Sequence, residues 1–197
     1  MRDTLSLDSI CLDHAPAVQK LASHPKIAET TNLPQPYPPN GAASWILSSM
    51  PRRVAGVEYS FAIIRDRDQT LVWVTSLMNV GQGEAELEYW IGHPYWGNGY
   101  ATEANRRIVQ FAFDTVGLDR LYARPLLRNH ASCRVLDKIG FDLVDVFDNM
   151  FPKWEDSDSL CMYELKESVR HPIPGTVGVP ARSRLPSPKR RSVRLHG

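Results

Sequence analysis

The spacing of apolar residues divides the chain into short alternating runs up to about residue 92 and helical runs after residue 99. Thr4 to Ile10 alternates apolar and polar side chains, the pattern of an edge strand with one covered face. Asp13 stands where a helix cap belongs, ahead of a helix through about Ser23 whose inward face carries Ala17, Val18 and Leu21. Residues 33–39 (LPQPYPP) exclude a regular element, because each proline fixes φ and removes a backbone donor. A loop ending at Asn40-Gly41 then leads into a short helix around 42–49. Segments 59–65 (YSFAIIR) and 71–78 (LVWVTSLM) are rich in β-branched and aromatic residues, and the polar 66–69 between them predicts a hairpin. Residues 85–92 (AELEYWIG) predict another strand.

From Gly99 the period lengthens. Ala101, Ala104, Ile108, Phe111, Ala112 and Thr115 share one helical face to about Val116, and Gly117 supplies the stop. A strand over 118–124, a helix over 129–139 ending at Gly140, and strands over 141–147 and 160–165 follow. Antiparallel strands, then strand–helix–strand–helix–strand–strand, predict an α/β sandwich around a mixed sheet.

Composition narrows the function classes. The chain has 197 residues, 43% of them hydrophobic, and five Trp, seven Tyr and six Phe, which excludes a wholly disordered chain. No apolar run approaches the ~18 residues of a membrane span, and the first ten residues lack a signal-peptide layout. Three cysteines (Cys11, Cys133, Cys161) without C-x-x-C spacing argue against a disulfide framework and for a reducing, cytoplasmic setting. Six histidines form no ligand-spaced pair, so no metal is expected.

The net charge of +1 hides an asymmetry: residues 1–165 carry 15 Lys/Arg against 21 Asp/Glu, whereas 166–197 carry 8 Lys/Arg against Glu167 alone. The expected organisation is a globular domain over 1–166 and a basic, Pro-rich tail over 167–197. A weak contact of that tail with nucleic acid or an acidic partner is the functional reading, a solubilising extension the plain one.

The most informative local feature is the turn Trp96-Gly97-Asn98-Gly99-Tyr100-Ala101 between a strand and a helix. Alternate glycines permit close backbone approach, and the first-turn amides of the helix point outward with the positive end of its dipole. That is an anion site suited to a pyrophosphate. A dinucleotide fold would place a glycine at Thr102 and put this turn after the first strand, and a nucleoside-triphosphate loop would need Gly-Lys-Ser/Thr; neither holds.

Residues 85–104 (AELEYWIGHPYWGNGYATEA), 129–141 (NHASCRVLDKIGF) and 37–46 (YPPNGAASWI) resemble the GNAT superfamily of N-acetyltransferases, especially its ribosomal-protein-alanine acetyltransferase-like branch. The resemblance implies a mixed, mostly antiparallel sheet splayed in its middle with helices on both faces, and acetyl-CoA as co-substrate. It implies that residues 96–101 hold the pyrophosphate and that backbone of Trp90 and Ile91 pairs with the pantetheine. It also implies that Asn129 holds backbone or the cofactor, helix capping being the plain alternative, that Ser132 bonds the thioester sulfur and relays a proton, a surface serine being the plain alternative, and that the tyrosine acid common in the superfamily is replaced by Leu136.

Amine acetylation needs a base to free the nitrogen lone pair. Glu86, at the position of the base in histone-acetylating relatives, is the first candidate, and alternation places Glu86, Glu88 and Trp90 on one strand face. Tyr37, Trp45 and Trp90 are candidates for the acceptor side. The expected activity is acetyl transfer to a primary amine, a protein N-terminus or a small molecule, by direct attack in a ternary complex. The alternative is a CoA-binding sensor or scaffold without turnover.

Overall fold

The computed structural model describes residues 4–155 and 157–169. Its seven strands are β1 (Leu5–Ser9), β2 (Tyr59–Arg65), β3 (Thr70–Gly81), β4 (Glu84–Ile91), β5 (Arg120–Ala123), β6 (Asp142–Asp148) and β7 (Ser159–Lys166). They form one sheet in the order β1-β2-β3-β4-β5-β7-β6. Every pairing is antiparallel except β4–β5. On one face lie α1 (Ala15–Ala22), α2 (Pro25–Ala28) and α3 (Gly41–Val54); on the other lie α4 (Tyr100–Gln110) and α5 (His130–Lys138).

Strand alternation builds a core on each side of the sheet. Ala62, Ile64 and Val74 meet Val18 and Leu21 of α1 and Ala42 and Ile46 of α3. Phe61, Ile63, Leu77, Ala85 and Leu87 meet Ala104 and Ile108 of α4 and Leu136 of α5. Leu136 is fully buried there and belongs to the core.

Some boundaries differ from the sequence reading. His14, not Asp13, is the N-cap of α1, and Leu12–His14 is a separate short turn. α3 runs past the expected stop to Val54 with Pro51 inside it; the helix absorbs one missing donor. α4 is continued by a π-helical segment, Phe111–Val116, closed by Gly117 at φ 77. The wider turn shifts the register, so Phe113 is buried in place of the expected Thr115, which is exposed. The tail beyond Val169 lies outside the described residues.

The feature that positions the site is the uneven pairing of β4. It pairs with β3 from Glu86–Met78 up to Ile91–Trp73, but with β5 only at Glu84–Arg120, Ala85–Leu121 and Glu86–Tyr122. Beyond Glu86 the two strands diverge and the sheet opens.

Candidate active site

An antiparallel ladder alternates between residues that bond their partner strand and residues that point away from it. Gly92 donates its N–H to Val72 O at 3.0 Å, which fixes the phase: Trp90 and Glu88 share ladder pairs with β3, while the backbone of Leu87, Tyr89 and Ile91 faces the opening. Of the two residues expected to pair with pantetheine, Ile91 therefore offers its backbone to the open edge. Trp90 offers its side chain to the cavity instead. The Ile91 carbonyl already accepts from Trp96 Nε1 at 2.8 Å, a bond that ties the glycine turn to the end of β4.

At that end the turn has the expected shape. Gly97 and Gly99 sit at φ +80 and +74, and a Cβ built on either would meet nothing within 4 Å. Asn98 Nδ2 donates to the carbonyls of Tyr95 and Trp96 at 3.1 and 3.2 Å, holding those acceptors away from the helix end. Gly99 caps α4 with no side-chain bond, and the buried Ala101 and Ala104 seat the helix on the sheet. Outward main-chain donors before open space fit a pyrophosphate. The hydroxyl of Tyr100 is engaged with Arg65, which also holds Asp68.

Across the opening, α5 begins at Asn129, whose side chain accepts from Ser132 N at 3.2 Å; its role as a cap is thus observed. Ser132 Oγ lies 2.8 Å from the hydroxyl of Tyr89, which also reaches Ser132 O at 3.2 Å. Burial raises the Tyr89 phenol well above its ordinary value, so it stays protonated. This bond crosses the splayed region from β4 to α5.

Glu86, Glu88, Tyr37, Trp45, Trp90, Asn129 and Ser132 line one cavity of about 250 Å³. Glu86, expected as base, is 4% exposed and engaged on both oxygens: Arg124 Nε and Nη2 donate at 2.8 and 2.7 Å, and Asn79 Nδ2 at 3.3 Å. Both carboxylate oxygens are thus already taken up by donors of the protein itself. The Glu88 side chain has no hydrogen-bond partner among the described residues, although its backbone carbonyl accepts from Thr75 Oγ1 at 3.3 Å. Glu88 is exposed to solvent at the cavity, and partial desolvation there first, and the Glu86 charge second, push its pKa up to about 7 against the lowering effect of Arg124.

Sequence reasoning did not find Arg124, Tyr89, Phe151 or Trp154, all of which line the cavity. Lys153 adds a strap, donating to the carbonyls of Ala28, Thr31 and Leu33 and so joining two loops that wall the cavity. Among the described residues no group of three or more His, Cys, Asp or Glu could hold a metal ion.

Residues 4–142 match the family model described as an acetyltransferase (GNAT) domain. The probable N-acetyltransferase YjcK of Bacillus subtilis is 36% identical over 87 residues, which cover 43% of this chain and 48% of that protein. The chain thus spans about half the length of that relative. Among solved structures, RimL, a ribosomal L7/L12 alpha-N-protein acetyltransferase in complex with coenzyme A, superposes with a TM-score of 0.77 at 17% identity, covering 83% of this chain and 94% of its own. The spermidine N-acetyltransferase of Vibrio cholerae, in complex with CoA and spermine, gives 0.74 at 15% identity, covering 84% and 96%. At such identities the likeness is one of fold.

Proposed function

Because the chain belongs to the acetyltransferase (GNAT) domain family, we propose that it transfers acetyl from acetyl-CoA to a primary amine by direct attack in a ternary complex. The observation that carries the reading is the splay itself. The open edge of β4 runs from an uncapped helix end beside Gly97 and Gly99 to a cavity holding Glu88 on one side and Ser132 on the other.

Acetyl-CoA supplies an activated acyl group and a thiol leaving group. Glu88, half ionised near neutrality, takes a proton from the acceptor ammonium and frees its lone pair. The nitrogen attacks the thioester carbon. Open-edge amides of β4 are the donors available to the developing oxyanion. The C–S bond then breaks, and the proton still carried by the acylated nitrogen passes to the departing thiolate with the Ser132 hydroxyl as relay, a step that needs only modest help because a thiol has a pKa of about 8.5. Tyr89 holds the Ser132 hydroxyl in place. Glu86 then acts on Glu88 through its charge, and the base role passes from Glu86 to Glu88. The three free cysteines suit the cytoplasmic setting that belongs to the same proposal.

The test is amine-dependent release of free thiol from acetyl-CoA across a panel of primary amines, with mass spectrometry of the acetylated product. Thiol and amide in equal amounts are expected. Binding of CoA with no thiol release from any amine would sustain the sensor alternative and overturn this one.

A further inference from the structure

We propose that the acceptor is a small amine with one positive charge on an aromatic or apolar body, and that Arg124 sets this charge limit. The inference rests on the acetyl-transfer reading above.

Five aromatic side chains line the cavity: Tyr37, Trp45, Trp90, Phe151 and Trp154. Such faces attract one cation and stack against an apolar or aromatic body. The ionisable carboxylates and cations of the lining are Glu86, Glu88 and Arg124 alone. Arg124 Nε and Nη2 occupy both Glu86 oxygens, so Glu88, when ionised, is the one carboxylate of the lining without a guanidinium bonded to it. One ammonium satisfies it. A second ammonium would find no free carboxylate there, and burying an unpaired charge is unfavourable.

At the rim, Lys153 already satisfies the carbonyls of Ala28, Thr31 and Leu33 and brings a further positive charge. Its strap joins the loop bearing Thr30–Leu33 to the loop bearing Phe151 and Trp154, and both loops contribute to the cavity lining. A space of about 250 Å³, below the roughly 300–1,000 Å³ of drug-sized sites, suits a small molecule better than a threaded peptide.

The matched comparison is hexylamine against 1,6-diaminohexane, two bodies of one length with one and two charges, beside 2-phenylethylamine and an alanyl tripeptide. With the wild-type protein and saturating acetyl-CoA, kcat/KM for hexylamine and 2-phenylethylamine should exceed that for the diamine and the tripeptide at least tenfold. In Arg124→Gln, which leaves Glu86 uncompensated, the hexylamine-to-diamine ratio should fall at least tenfold, while Arg124→Lys keeps the wild-type ratio. The wild-type ratios decide the single-charge preference even where a variant misfolds, and an unchanged ratio in folded Arg124→Gln overturns the role of Arg124. A diamine turned over as well as hexylamine, or a tripeptide turned over faster than both, overturns the proposal. Absence of turnover with every amine would instead sink the acetyl-transfer reading on which it rests.

Discussion

Two glutamates two residues apart on one strand carry different chemistry because only one of them meets an arginine. Glu86 is fastened to Arg124, 38 positions along the chain, and Glu88 is left with the cavity. Nothing local in the sequence could separate them, since alternation puts both on one face and Arg124 carries no periodic mark. The Tyr89–Ser132 bond, across 43 positions, was hidden for the same reason. Gly97 and Gly99 were legible because positive φ and an uncapped helix end are properties of six adjacent residues.

The raised pKa of Glu88 also has a consequence for stability. A carboxyl whose pKa rises from 4.5 to about 7 on folding favours the folded state most below the unfolded value, and that contribution is lost as pH climbs through the folded one. Glu88→Gln removes the titration. The Tm of the variant relative to wild type should therefore increase between pH 5 and pH 8, as followed by thermal melts; a constant difference would mean that Glu88 is not held in a desolvating site.

At the scale of elements, strands and helices followed from hydrophobic period, and most boundaries fell within a few residues of the observed ones. The departures have physical causes. The π-helical turn after Gln110 is a local widening that an ideal helical period does not contain, and α3 tolerates Pro51 near its end. The divergence of β4 from β5 was implied by resemblance and not by pattern, because pairing partners are non-local. The α4 end gives a direct prediction. Gly99→Asp keeps a residue type that tolerates left-handed backbone but sets a carboxylate in the open space before the helix. Isothermal titration should show CoA binding weakened by about tenfold or more, an increase of roughly 1.4 kcal/mol. Unchanged affinity would remove this turn from the cofactor site.

For the molecule as a whole, two cores flank a sheet in which β4 and β5 pair only over Glu84–Glu86 and then part, with an aromatic cavity lined by residues of both strands. No described helix is long and apolar enough to cross a membrane. Glu88 and Ser132 come from separate stretches of chain and line one cavity only after folding, while the glycine turn is tied to the end of the strand that carries Glu88. The decisive measurement is the single-turnover rate of acetyl transfer between pH 5.5 and 9 in wild type and Glu88→Gln. The wild-type rate should rise with pH through an apparent pKa near 7, that of Glu88. Glu88→Gln should lose that limb and react about 100-fold more slowly, with CoA still bound. An unaltered limb and rate in Glu88→Gln would contradict the assignment of the base and the mechanism built on it.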